Sequence, residues 1–93
     1  MENLTHLIGA YFHQDWNHVY RTREEALADF VRRAPERAET VPREIDELLE
    51  STPEDEALTT RLADMGFDDA PPEGDRAFLV DLQTHLRRLC SAR

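Results

Sequence analysis

TREEALADFVRRAP, residues 22–35, decides how the chain is to be read. Thr22 stands three residues ahead of Glu25, the spacing at which a hydroxyl and a carboxylate satisfy the free amides of a helix start. Leu27, Phe30, Val31 and Ala34 then recur at steps of three and four, which puts them on one face of a helix. Pro35 follows as a stop.

The same grammar extends in both directions. Upstream, Leu4, Leu7, Ile8, Tyr11 and Phe12 form the stripe of a first helix that should end near His13. Downstream, Val41, Ile45, Leu48 and Leu49 mark a third helix, with Thr40 as its N-cap and Pro42 in its first turn. Thr52-Pro53-Glu54-Asp55 reads as a fourth start: a cap, a proline at the first helical position, then acids facing the helix dipole. Leu58, Leu62 and Met65 line that helix, and Gly66 is placed to end it. Residues 67–74 (FDDAPPEG) carry two prolines and a glycine and read as a loop. Asp75 caps a last helix striped by Phe78, Leu82, Leu86 and Leu89, with Arg87, Arg88 and Arg93 where cations suit its end. No segment alternates as a strand should. The expected fold is all-α: a compact bundle of about five short helices in one domain spanning residues 1–93. Helices this short depend on packing against one another.

Charge narrows the function. The chain has 20 acids against 11 arginines and no lysine, a net charge of −9. Residues 36–75 hold fourteen acids and three arginines, so −11 of charge sits in the middle of the chain, against −1 before it and +3 after it. Such a field repels phosphate backbones and attracts basic proteins, which argues against direct nucleic-acid binding. No apolar run approaches the roughly 20 residues of a membrane helix. The start MENLTHLIG lacks a basic, long apolar signal segment. Cys90 is the one cysteine, so no disulfide forms within the chain. The expectation is a cytoplasmic protein.

Residues 11–20, YFHQDWNHVY, concentrate four of the seven aromatic residues and two of the four histidines. Metal binding would need three or four ligands converging at about 2 Å. His6, His13, Asp15 and His18 are the candidates, but Asp15 and His18 fall beyond the first helix, and no Cys-x-x-Cys or His-Glu-x-x-His pattern supports them. Cys90 and His85 lie on different sides of one helix, the serines sit at Ser51 and Ser91, and the three glycines make no phosphate loop. No pair of carboxylates stands out for acid–base work. We therefore expect no enzyme, no metal and no cofactor. The bland reading of the stretch is a structural corner. Tyr11 and Phe12 close the apolar face, Trp16 and Tyr20 fold over the helix end, and His13, Gln14 and Asp15 satisfy its carbonyls. On this reading Trp16 is largely buried.

The hexapeptide Tyr11-Phe12-His13-Gln14-Asp15-Trp16 also resembles the signature of a family of bacterial immunity proteins of contact-dependent growth inhibition systems. Glu24-Glu25-Ala26-Leu27-x-x-Phe30 is similar to the family's second helix, Glu44-Ile45-Asp46-Glu47-Leu48-Leu49 to its acidic segment, and Met65-Gly66-Phe67 to its glycine turn. The chain departs from that pattern at Phe67-Asp68-Asp69 and Phe78-Leu79, where an aromatic-rich turn and a tryptophan-leucine pair would be expected. The resemblance implies a cytoplasmic antitoxin that binds and blocks the C-terminal toxin domain of a large secreted toxin. Many such toxins are nucleases with basic clefts, and a strongly acidic chain suits that partner. The candidate toxin-binding residues are then Asp46, Glu47, Glu50, Glu54, Asp55, Glu56, Asp68 and Asp69. A small acidic adaptor or regulatory subunit for another basic protein is the alternative, and a merely solvated acidic face is the reading without function.

Overall fold

Each of the five apolar stripes folds as a helix in the computed structural model, which describes residues 1–12, 19–67 and 70–91. The helices are α1 (Glu2–Tyr11), α2 (Arg23–Arg33), α3 (Pro35–Ser51), α4 (Asp55–Asp64) and α5 (Asp75–Ser91). Among the described residues there is no strand, and no helix is long and apolar enough to cross a membrane. The two 17-residue helices, α3 and α5, pack along each other, with α2 laid against both and α1 against α3.

Thr22 caps α2 as its spacing predicts: the Glu25 amide donates to the Thr22 hydroxyl at 3.1 Å. The return arm lands one residue early, with the Glu25 carboxylate accepting from the Arg21 amide at 3.0 Å. Pro35, expected to be a stop, is instead the first residue of α3. A first-turn amide has no helical partner, so proline loses nothing there, while it drives the residue before it out of helical geometry. Ala34 (φ −140°, ψ 66°) accordingly closes α2 and opens α3 at once. Thr40 then lies inside α3 and is not a cap; its hydroxyl donates to the Glu36 carbonyl at 3.1 Å. Pro42 lies inside α3 too, beyond the first turn.

The fourth start also moves. Thr52 is the C-cap of α3, Pro53 precedes the next helix, and extended Glu54 flanks α4. Two arginines hold this junction. Arg61 donates to the Thr52 hydroxyl at 3.2 Å. Arg76 donates to the carbonyls of Thr52 and Pro53 at 2.9 and 3.0 Å. Those bonds satisfy carbonyls that a helix end leaves open. Asp75 begins α5 and does not cap it; the Gly74 carbonyl takes the Phe78 amide at 3.0 Å.

Gly66 ends α4 as expected. Its φ of +101° suits only glycine without strain, and two bonds of 3.0 Å, Phe67 amide to Leu62 carbonyl and Gly66 amide to Ala63 carbonyl, make a Schellman turn. The α1 backbone crosses close to that turn. A Cβ on Gly9 would meet the Met65 carbonyl at 3.4 Å, and one on Gly66 would meet the Gly9 Cα at 3.6 Å.

The core is built from Leu4, Leu7, Ile8, Phe12, Leu27, Phe30, Ile45, Leu48, Leu58, Leu62, Phe78 and Leu79, all fully buried. Phe78 is its aromatic centre. It stacks on Phe67 at 4.8 Å, meets Phe12 edge-on at 5.6 Å and carries the Arg23 guanidinium 4.6 Å above its ring. Such contacts add to burial, each on the order of 1 kcal/mol.

Candidate functional site

The register of α3 sorts its acids into two kinds. Val41, Ile45 and Leu48 face the core, and Glu44 sits on that same face with 8% of its surface exposed. Its carboxylate accepts from the Leu4 amide at 2.9 Å and from the Asn3 side chain at 2.7 Å. Leu4 is in the first turn of α1, where amides lack helical partners, so a glutamate forty residues away caps that helix. Arg37 completes the clasp by donating to the Asn3 side-chain oxygen at 3.1 Å.

The opposite face of α3 carries Glu36, Glu39, Arg43, Asp46, Glu47 and Glu50, all exposed. Asp46 is anchored across to α5: Gln83 donates to it at 2.7 Å and Arg87 at 3.1 Å. Gln83 is buried and also donates to the Pro42 carbonyl at 2.8 Å, so Asp46 belongs partly to the α3–α5 seam. Glu47 and Glu50 differ. Their carboxylates make no hydrogen bond or ion pair among the described residues. They stand in the last turns of α3, where the dipole favours cations, and its last turn has no basic residue. Each also has like charge as a neighbour, Glu47 three residues and Asp46 four residues before Glu50.

Three residues join α3 to α4, so Glu54, Asp55 and Glu56 follow closely on Glu50. All three are exposed. Asp55 and Glu56 sit in the first turn of α4, a favourable place for acids. Asp55 faces the Arg76 guanidinium at 3.5 Å with its side chain still 89% exposed. Six of the eight candidate acids thus occupy one junction, the end of α3 and the start of α4. Asp68 and Asp69 lie outside the described residues.

Other acids are committed internally. Glu73 receives a two-pronged pair from Arg23 at 2.6 and 2.9 Å, which holds its carboxyl down at about 2. Arg23 also donates to Asp81 at 3.1 Å, and His85 stands 3.3 Å from Asp81 and 3.7 Å from Glu24. Asp29 is buried. The Tyr20 hydroxyl donates to it at 2.5 Å, with Arg32 and Arg33 as further donors. The Tyr20 bond, aided by the two arginines, holds Asp29 at about 2, and the same bond, with burial, pushes the Tyr20 phenol up to about 12.

This cluster anchors the described part of the aromatic corner. Tyr11 and Phe12 are buried, and Tyr11 stacks on Tyr20 at 6.1 Å and meets Phe30 edge-on at 5.3 Å. His13, Gln14, Asp15 and Trp16 lie outside the described residues, as does His18. His6 is exposed beside Tyr11 and Phe30. Among the described residues no group of three His, Cys, Asp or Glu side chains could hold a metal ion.

Sequence reasoning missed Glu44, Asp29, Gln83 and the arginines 23, 61 and 76. For Glu44 a signal existed: it lies three residues after Val41 and four before Leu48, in phase with the buried stripe. The arginines gave none, because their partners are far away in sequence.

This small helical chain pairs some of its carboxylates with arginines and leaves others, at the end of α3 and the start of α4, exposed. It matches the model of the CdiI immunity protein family over residues 1–86, and the chain belongs to that family. It is therefore an antitoxin that neutralises the toxin of a contact-dependent growth inhibition system, and it is not an enzyme. No curated protein and no solved structure matches the chain.

Proposed function

We propose that the end of α3 and the start of α4 form the surface that meets the cognate toxin, and that its acids occlude a basic toxin surface. The observation that carries this reading is the pair Glu47 and Glu50. They are unbonded, exposed and close to the negative end of the helix dipole, with like charge beside Glu50, so they contribute little to the fold. A cationic partner supplies what the fold does not. A nuclease toxin, whose cleft is shaped to hold phosphates, fits that chemistry, and acids here would stand in for the phosphates. We place the encounter in the cytoplasm and assign the binding to one domain over residues 1–93.

The test is the triple variant Glu47→Lys, Glu50→Lys, Glu54→Lys. It spares Asp46, whose bonds to Gln83 and Arg87 would confuse binding with packing. Affinity for the cognate toxin domain should fall, the fall should lie mostly in the association rate, and the salt dependence should flatten. The thermal melt should stay close to the parent's, because the gain at Glu50 is offset at Glu54, where a lysine would face the start of α4. Unchanged affinity and salt dependence in a folded variant would move recognition elsewhere.

A further inference from the structure

Val80 is 44% exposed, although it sits one residue from fully buried Leu79. It forms one wall of a groove of about 890 Å³ between the first turn of α4, the turn at residues 70–74 and the first turns of α5. Leu58 and Pro71, both buried, and exposed Ala70 and Ala77 supply the rest of its apolar side chains. Ala77 and Val80 are three residues apart and so share a face of α5.

The rim is charged, and unevenly. Asp55, Glu73 and Asp75 stand round it against one cation, Arg76. That guanidinium is held at the back by the carbonyls of Thr52 and Pro53. Asp75 takes a hydrogen bond from Thr59 and Glu73 its pair from Arg23, which fixes both carboxylates in place. An apolar floor inside a polar, charged rim is the anatomy of an interface centre, where a few desolvated anchors carry most of the binding energy.

We propose that this groove is the apolar anchor site of the toxin interface, and that it takes an aliphatic or aromatic side chain of the toxin flanked by arginine or lysine. The charge selects the occupant. Three carboxylates against Arg76 and the Arg23 that pairs with Glu73 leave the rim net negative, which disfavours an anion, whereas a basic-flanked apolar residue satisfies floor and rim together. Asp55 belongs both to this rim and to the acidic junction, so the two surfaces are continuous. The inference rests on the reading that the junction meets the toxin: long-range steering falls to the acids, and tight, salt-insensitive holding falls to the groove.

The experiment compares Val80→Arg and Ala77→Trp with the lysine triple variant, using the cognate toxin domain at about 0.1 and about 1 M salt, where the screening length falls from about 10 to about 3 Å. Both groove positions are exposed, so both variants should melt like the parent. Each should weaken binding at least tenfold, at about the cost of losing one interface anchor, and the loss should persist at high salt. The triple variant's loss should instead shrink as salt rises. Parent-like affinity in both groove variants, with a weakened triple variant, would overturn the groove and leave the acidic junction standing. The reverse pattern would keep the groove and overturn the junction. Hydrogen exchange on the unmodified chain gives a check that needs no variant: toxin should protect amides within residues 70–80, and unchanged exchange there would overturn the proposal. Self-association that Val80→Arg abolishes would assign the groove to a second copy of the chain, and would overturn it equally.

Discussion

The carboxylates packed between α2 and α5 and the glutamates at the α3–α4 junction are acids held in opposite ways. Asp29, Glu73 and Asp81 each have an arginine within bonding distance, and Asp29 has two besides a tyrosine hydroxyl. Glu47, Glu50, Glu54 and Glu56 are exposed. The contrast is sharpest within α3, where Glu44 is buried and capping while Glu47, one turn on, meets water. A net charge of −9 therefore conceals two populations. One is spent on holding helices together, and its field is largely cancelled by arginines. The other is left to project outward, so the negative field is more one-sided than the composition alone would suggest.

The hardest blow to the committed side is Phe78→Ala. It removes a fully buried ring together with the stack on Phe67, the edge contact with Phe12 and the platform beneath Arg23. A loss of about 3–5 kcal/mol is expected in denaturant titration, a large share of a total of about 5–10 kcal/mol. A cost under about 1 kcal/mol would mean that this cluster does not centre the core.

Glu44→Ala against Glu47→Ala tests the two populations directly. The first strands the Leu4 amide and the Asn3 side chain and should cost about 2–3 kcal/mol; the second should stay within about 0.5 kcal/mol. Equal costs in the same titration would erase the distinction between them.

Asp29 makes the comparison a function of pH. Its carboxyl is held at about 2, below the ordinary carboxylate value of about 4, so its stabilisation is complete above the ordinary value and lost as pH falls from about 4 to about 2. Tyr20, raised to about 12, runs the other way: its share is complete below about 10 and lost as pH climbs from there toward 12. Asp29→Asn should cost about 1–2 kcal/mol at neutral pH and flatten the acid limb of the stability curve. An acid limb unaltered by that variant would show that other carboxylates govern acid unfolding.

How much of this could be read beforehand follows the range of each interaction. The five helices were legible because stripes, the Thr22 cap and Gly66 are local signals. Proline was misread twice, since Pro35 ends one helix and starts the next and Pro42 survives inside α3, and only tertiary packing decides between those roles. Thr52 looked like a cap until Arg61 and Arg76, nine and twenty-four residues on, claimed its hydroxyl and carbonyl. The candidate acids were found by charge density, which located the junction but could not tell that Asp46 is tied to Gln83 and Arg87, some forty residues away. Val80 falls outside the stripe of Phe78, Leu82, Leu86 and Leu89, and its place in a groove emerged only with its neighbours in position.

The smallest expected effect has the most informative sign. Glu50 follows Asp46 by four residues and Glu47 by three, in a last turn without a basic residue. Glu50→Lys replaces repulsion with attraction at both spacings and puts a cation at the negative end of the helix dipole. Stability should therefore rise, by about 0.3–1 kcal/mol, in a thermal melt at low salt, and the gain should shrink as salt is added. Toxin affinity should fall in the same variant. A residue whose replacement improves the fold and harms binding is kept for the partner, which is the behaviour expected where function costs stability. If Glu50→Lys lowers the melting temperature, the acid has a structural role, and Glu50 joins Glu44 on the committed side of the comparison.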